Sequence, residues 1–524
     1  MKVNFLTRLG LAGMLLLSAT ACEKDLLNQV NPNLPTTESV FKTSDDAVKA
    51  STATYAGLQG LGMYRRWLNF AFDLRDDTGF SQSPWGELAD FTRFVQNNFD
   101  FEVSFHIYRD HYRTIYRANQ VIANVPGIQG MDATLQKRVV AEARFLRALS
   151  YFNLVSLYGN VPLSVTPPID LNAIPPQGTE AQVWELVIAD LLAAQPDLPV
   201  AYTGADLGRA TRGAATTLLG KAYMQNRRWA DAQAQFAQVI SSGTYRLTAT
   251  YTDNFRHTSE NNSESIFEVQ FDDMNRGGND AGGGPNASSS QGGQRSQFWG
   301  VPGFGFNDGE LRPWVVREFL QEGTAAGQRD PRLAATAFYN RFDLTQFPST
   351  LAPDNDRDVY GSGNFETRYA GNARDLGRVY YRKYATDYYR NFENFDSPIN
   401  QRVMRYADVL LLQAEALNEQ NNPAGAVPLV NQVRQRAGLA PLAVGLSQTA
   451  MRAQLMHERI TELAGEGVRW FDLQRYGVLT AQAGVDQLKQ RDPSFNGFRI
   501  DRDRLLPLIQ IDVDLSRLRQ NPNY

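Results

Sequence analysis

The chain has 524 residues, of which 43% are hydrophobic, 21% charged and 11% aromatic, with a formal net charge of -4. That is the composition of an ordinary globular protein, and without a basic stripe it excludes nucleic acid as a partner. The length exceeds one typical hydrophobic core, so two lobes or a repeat array are expected.

The first element is a leader. Lys2 and Arg8 lie in a short positive stretch, an apolar run spans Leu9 to Leu17, and Ser18, Ala19, Thr20 and Ala21 are all small. These are the three parts of a secretory signal. The run is shorter than the roughly 20 apolar residues a membrane-spanning helix needs. Residues 1–21 are therefore read as a removable signal peptide. Cys22, the single cysteine of the chain, follows directly. The segment resembles the lipobox of bacterial lipoproteins, with Ala19 where Leu is usual, which makes Cys22 the lipidation site. The plainer alternative is ordinary cleavage with an incidental thiol. Acyl chains contribute about 0.8 kcal/mol per buried CH₂, so a multiply acylated cysteine would hold the protein at a membrane. Polar, proline-containing residues 22–45 read as the tether.

Beyond the tether the chain reads as mainly α. Residues 137–158 place apolar side chains three and four apart, the pattern of an amphipathic helix, and Gly159 and Pro162 end it. In residues 213–246, Leu219, Gly220 and Tyr223 on one helix face Ala232 and Phe236 on the next, a tetratricopeptide-like spacing of small against large residues. The segment "SIFEVQF" alternates weakly and predicts one short strand. Residues 275–300 are rich in glycine and serine and predict a flexible loop; without a preceding strand or a following Lys-Ser/Thr they are no phosphate cradle. Residues 340–400 predict long irregular loops of the kind that carry function. A second, weaker repeat runs from Arg405 to Gly438, with Ala414, Leu417, Ala426, Val430 and Val433 at matching positions. Stacked helical repeats usually bind rather than catalyse.

Catalytic and metal signals are weak. Glu458, Glu462 and Glu466 recur every four residues, with Arg459, Arg469, Asp472 and Arg475 nearby. Paired carboxylates can serve a glycosidase, but this spacing lines one helix face and reads better as a salt-bridge lattice tying the last helices to the scaffold. "HERIT" lacks the second histidine of a zinc helix, and no Gly-x-Ser-x-Gly elbow occurs. Asp354, Asp356 and Asp358 resemble the start of a calcium loop, but Val359 stands where glycine is needed and Phe365 where the closing glutamate belongs. No cofactor is expected, and a surface calcium ion is the weaker reading there.

Several segments, in order, resemble the SusD/RagB family: "ACEKDLL" with its tether, "AEARFLRALSYFNLVSLYGNVPL", the repeat around Leu219, "RYADVLLLQAEALNE", "VNQVRQRAGL", "ERITELAGEGVRWFDLQRYG" and the ending "LLPLIQIDVDLSRLRQNPNY". In that ending Leu508 and Ile509 follow Pro507 where the family usually has a second proline. The resemblance implies a surface lipoprotein of the outer membrane that captures glycans, or in some members peptides. It would act as a lid on a SusC-like TonB-dependent transporter and carry out no catalysis. It also divides the chain into an N-terminal region with tetratricopeptide-like helices (46–270), a loop-rich ligand-facing region (271–400) and a C-terminal helical region (401–524). The fold class expected is a helical-repeat scaffold with a second lobe of long loops and a few short strands. A lipid-anchored hydrolase and a repeat scaffold for envelope assembly stay open as alternatives.

A sugar ring offers an apolar C–H face and an equator of hydroxyls, so its site needs a flat aromatic platform and polar side chains with paired donors or acceptors. Two stretches have this mixture. Residues 65–91 contain Trp85 with Arg75, Asp77 and Gln82, and Asp77 and Trp85 loosely match a stretch near the ligand face of family members. Residues 296–307 contain Phe298 and Trp299 beside the glycine-rich loop. Trp67, Trp184, Trp229, Trp314 and Trp470 read as helix-packing residues.

Overall fold

The computed structural model describes residues 40–167, 174–273, 291–353, 358–516 and 518–524. The signal, Cys22, most of the tether, most of the glycine-rich loop, and Asp354 and Asp356 lie outside them. Among the described residues, no helix is long and apolar enough to cross a membrane.

Helices dominate. The N-terminal part contains α1 (Ser44–Tyr55), α2 (Trp67–Asp73), α3 (Gly86–Thr92), α4 (Glu102–Asn124), α5 (Ala133–Tyr158), α6 (Glu180–Ala194), α7 (Arg212–Gln225) and α8 (Trp229–Ser241). The middle carries the short helices α9 (Arg295–Trp299), α10 (Pro313–Phe319), α11 (Pro331–Thr336), α12 (Phe365–Arg368) and α13 (Ala373–Leu376). The C-terminal part adds α14 (Tyr406–Glu419), α15 (Pro423–Arg436), α16 (Gln448–Leu463), α17 (Arg469–Arg475), α18 (Gln482–Arg491) and α19 (Gln510–Ser516). Side chains set the starts of several. Thr43 and Asp46 form a capping box at α1, as do Thr179 and Gln182 at α6, satisfying backbone donors that the helix itself leaves free. Asp132 caps α5, and Gly159 ends it at φ 67°; a Cβ there would meet Leu505 Cδ1 at 2.7 Å.

Neighbouring helices stack in sequence: α4 on α5, α5 on α6, α6 on α7, α7 on α8, α8 on α14, and α14 on α15 and α16. The small-against-large reading of α7 and α8 is literal. A Cβ on Gly220 would lie 2.5 Å from Phe236 Cε1, so only glycine lets the two helices close over that ring. In the second repeat Ala414, Ala426, Val430 and Val433 are buried.

Two small antiparallel sheets tie distant segments together. One has the order β1 (Gly79–Phe80), β3 (Glu310–Leu311), β5 (Tyr380–Tyr381) and β4 (Ala337–Phe338). The other pairs β2 (Ser265–Val269), the strand expected in "SIFEVQF", with β6 (Gln401–Arg405). Among the described residues between 340 and 400, only α12, α13 and β5 interrupt the irregular backbone.

The glutamate ladder is a buried ionic lattice, but its partners are not the arginines nearest in sequence. Arg405 Nη1 donates to Glu462 Oε1 at 2.6 Å and to Glu264 Oε1 at 2.7 Å, and its Nε lies 2.6 Å from Glu466 Oε2. Glu462 also bonds Arg332 at 3.0 Å and Arg436. Glu458 bonds Arg434, and Lys383 Nζ reaches Glu466 Oε1 at 2.7 Å. The sequence-local arginines serve other carboxylates: Arg459 pairs with Asp408 and Asp472, and Arg475 with Glu415 and Asp472. Burial by itself would raise the carboxyls of Glu462 and Glu466; the surrounding guanidiniums outweigh it and hold both below the usual range. Buried and paired with cations from other elements, Glu462 and Glu466 act as structural ties between distant segments.

Candidate functional site

The residues expected at the ligand face separate sharply. Asp77 is fully buried. Its Oδ1 accepts from Arg469 Nε at 2.7 Å, and its Oδ2 from Arg469 Nη2 at 3.0 Å and Arg491 Nη1 at 3.2 Å. Burial pushes this carboxyl up, but the bidentate Arg469 more than offsets it and the group sits below its ordinary range. Arg75 is buried too. It donates to the Asp503 carbonyl at 3.1 Å, with its guanidinium 5.1 Å from the Trp470 ring centre and 5.2 Å from those of Phe91 and Phe94. Phe298 and Trp299 are 4% and 3% exposed, so neither presents a face to solvent. Trp299 is held between the Arg295 guanidinium at 3.9 Å and the Tyr381 ring at 4.5 Å. The reading of Asp77, Arg75, Phe298 and Trp299 as ligand contacts is therefore corrected: tertiary partners cover all four. Gln82 is exposed, where its side-chain carbonyl accepts from Arg378 Nη2, and Trp85 is half-buried.

What remains is an aromatic wall with an open edge. Trp85 packs edge-on against Trp67 at 5.7 Å and Phe101 at 5.4 Å. Trp67 meets Phe298 at 5.7 Å, and Phe298 meets Phe306 at 5.3 Å and Phe395 at 6.1 Å. Trp67 is fully buried, whereas Phe306 is 48% exposed. Phe298 thus works from behind: it supports Phe306 rather than touching a ligand itself. The Arg66 guanidinium lies 4.1 Å from the Phe298 ring centre and 4.8 Å from that of Trp67, stiffening the back of the wall.

The loop after α9 places Phe306. Its backbone folds back on the helix, with Phe306 N donating to Gln297 O at 2.8 Å and Asp308 N to Phe298 O at 2.7 Å. A Cβ on Gly300 would lie 2.9 Å from Gly305 Cα, so the two strands of this loop cross where neither has a side chain. Around the wall stand polar groups. Trp85 Nε1 donates to Glu87 Oε2 at 3.4 Å, Asn98 Nδ2 to Glu87 Oε1 at 2.9 Å, and Arg378 Nη1 to Glu310 Oε1 at 2.6 Å. Burial lifts the Glu310 carboxyl to about 7 against the opposing pull of Arg378. Flat apolar rings edged by amide, carboxylate and guanidinium groups suit a ligand with apolar faces and an equator of hydroxyls.

Phe306 and Phe395 were not singled out from the sequence, although Phe306 lies within the second stretch. The signal for it was its Gly-Phe-Gly-Phe setting, which marks a tight surface loop more directly than the tryptophan upstream. Among the described residues, one group of potential metal ligands stands out, Glu322, His457 and Glu458. The Arg434 guanidinium already bonds both glutamates, and His457 Nδ1 lies 2.9 Å from Glu318 Oε1, so a protein cation occupies the place an ion would take.

The whole architecture has relatives. A family described as "SusD family" matches residues 263–524, and one described as "Starch-binding associating with outer membrane" matches residues 54–224. The chain is 31% identical to SusD-like protein P25 of Formosa agariphila, over 79% of this chain and 77% of that one. It is 28% identical to SusD-like protein P2 of the same organism, over 98% of both. Among solved structures, a SusD superfamily protein from Bacteroides vulgatus superposes with a TM-score of 0.79 at 22% identity, covering 92% of this chain and all of that one. A laminarin-binding SusD-like protein superposes with a TM-score of 0.73 at 25% identity, again over 92% and 100%. Matched by these two family models in its N-terminal and C-terminal parts and 31% identical to P25, the chain belongs to the SusD family.

Proposed function

We propose that this protein captures glycans at the cell surface and hands them to a partner TonB-dependent, SusC-like transporter, without catalysing a reaction. In this reading Cys22 carries the lipid, the body faces the exterior, and the anchor keeps it at the outer membrane while it moves against the transporter. The observation that carries the glycan reading is the aromatic wall: half-buried Trp85 and exposed Phe306, joined through buried Trp67 and Phe298 and rimmed by Gln82, Arg378 and Glu87. A rigid, preformed platform is what a sugar needs, because its ordering cost is already met in the fold. The laminarin-binding relative supports the same ligand class.

The test uses the soluble body beginning after Cys22. Its binding to a panel of neutral and acidic polysaccharides and of peptides is measured by affinity electrophoresis and calorimetry, then repeated with Trp85→Ala and Phe306→Ala. Binding to a glycan class, weakened about tenfold or more by either change with the melting temperature retained, is the expected result. Peptide binding alone, or glycan binding indifferent to both changes, would sink the assignment.

A further inference from the structure

Helix α4 carries a second aromatic surface that the wall does not use. Its sequence, "YRDHYRTIYR", places a Tyr-Arg pair every four residues: Tyr108–Arg109, Tyr112–Arg113 and Tyr116–Arg117. On a helix that spacing stacks each set along one side at about 6 Å intervals. The Tyr side lines a cleft of about 740 Å³, closed opposite by Pro162, Ile174, Pro175 and Ile509. That volume lies within the range of small-molecule and oligomer sites. Tyr116 is 39% exposed, and Tyr112 is fixed by its hydroxyl donating to the Pro162 carbonyl at 2.8 Å. Tyr112 is therefore held in place, backed by the buried Tyr108 ring at 4.7 Å, while Tyr116 stands open to solvent.

The cleft and the wall are both built on α4. Phe101, at the start of α4, packs against Trp85, and Phe105, one turn on, already lines the cleft. From Phe101 to Tyr116 the helix advances about 22 Å, so a ligand following it would cover several sugar units.

Charge distinguishes the two places. Arg109 and Arg113 share one carboxylate, Asp110, at 2.9 and 3.4 Å, and Asp110 also accepts from Gly62 N at 2.9 Å. Arg117 donates to a neutral group, the Ala53 carbonyl. Asp512 is the acidic group on the cleft's lining. Asp110 is thus the carboxylate bonded to Arg109 and Arg113 and is also committed to the backbone, while Asp512 lies beside a second acid, Asp100; Arg113 and Arg117 stand at the solvent edge. Guanidinium forks match carboxylate and sulfate oxygens in pairs, and aromatic rings match the sugar faces between them.

We propose that the α4 cleft is a second subsite, distinct from the Trp85–Phe306 wall, and that it takes an acidic sugar bearing carboxylate or sulfate groups. The inference rests on the glycan reading above and narrows it: the captured polymer is anionic, one segment lying on the wall and another along α4.

The experiment compares hexagalacturonate, laminarihexaose and an oligoglutamate peptide by calorimetry at low and high salt, on wild type, on the double variant Arg113→Gln/Arg117→Gln and on Trp85→Ala. Hydrogen exchange reports where each ligand protects the backbone. The expected result is that hexagalacturonate binds with protection over residues 105–117 and weakens with salt. Its affinity falls about tenfold in the double arginine variant, while that variant melts within about 2 °C of wild type. Hexagalacturonate binding that ignores the arginine changes, with protection confined to the Trp85 wall, would overturn the subsite and leave the glycan reading standing. Oligoglutamate binding to the cleft in preference to hexagalacturonate would replace it with a peptide site. Absence of hexagalacturonate binding would overturn the subsite, whereas the glycan reading falls only if the whole polysaccharide panel fails to bind.

Discussion

Arg405 is the most consequential single side chain in the ionic lattice, and its removal tests whether the lattice is structural. Arg405→Met keeps the apolar stem but removes the guanidinium that reaches Glu264, Glu462 and Glu466. Glu462 keeps Arg332 and Arg436, Glu466 keeps Lys383, and Glu264 keeps Arg436 at 3.3 Å. The variant therefore leaves three buried acids undercompensated rather than one abandoned. Breaking one side of a buried pair costs about 3–5 kcal/mol, and the residual partners argue for about 4. With an unfolding entropy of about 2.1 cal/mol/K per residue, the roughly 460 described residues give about 1 kcal/mol/K, so the melting temperature should fall by about 4 °C. Glu462→Gln is the companion. It leaves Arg405 with Glu264 and Glu466, and should cost only about 1–3 kcal/mol. The pH profile gives a second readout. The folded carboxyls of Glu462 and Glu466 sit below their ordinary value, so their stabilisation is complete above about pH 5 and is lost as pH falls through the acid range. Arg405→Met, having less of that stabilisation, should show a shallower acid dependence. Melting would be followed by circular dichroism from pH 3 to 8. A melting temperature within 1 °C of wild type, or Glu462→Gln costing more than Arg405→Met, would refute the reasoning.

Three further outcomes follow from the same contacts. Asp77→Asn should cost about 2–4 kcal/mol by leaving Arg469 and Arg491 without their shared carboxylate, yet leave glycan affinity of the folded protein unchanged by calorimetry; a loss of affinity at full stability would restore Asp77 to the ligand face. Gly220→Ala should destabilise by about 1–3 kcal/mol in denaturant melts, because the new methyl enters the space of Phe236; a neutral result would mean α7 and α8 can part at no cost. Trp299→Ala should lower stability by about 3–5 kcal/mol, the range for emptying a buried aromatic site, whereas Trp85→Ala should cost far less and act on binding, so comparing melting curves of the two separates core from platform.

How much of this was legible in the chain depends on the distance over which each feature is decided. The tetratricopeptide spacing around Gly220 and Phe236, the α5 helix and its stop at Gly159, and the strand in "SIFEVQF" are written in neighbouring residues, because helix periodicity, caps and turn glycines act within a few positions. The glutamate ladder was visible as a helix face, but its partners were not: Arg405, Arg332 and Lys383 arrive from other elements, and charge spacing along one helix cannot rank them.

The ligand face was decided last. Trp85 and Trp299 both stand in loop-like stretches beside glycine and serine, and nothing local separates them. Trp299 is enclosed because Phe70, Arg295 and Tyr381 close around it; Trp85 keeps an open edge because Trp67 and Phe101 cover only part of it. Asp77 looked like a ligand residue until Arg469, 392 positions away, folded onto it. Sequence alone therefore determined the helical scaffold, the repeats and the family, since those rest on short-range periodicity and residue order. Which aromatic and charged side chains meet solvent was settled only by tertiary packing, because burial depends on contacts between segments hundreds of residues apart.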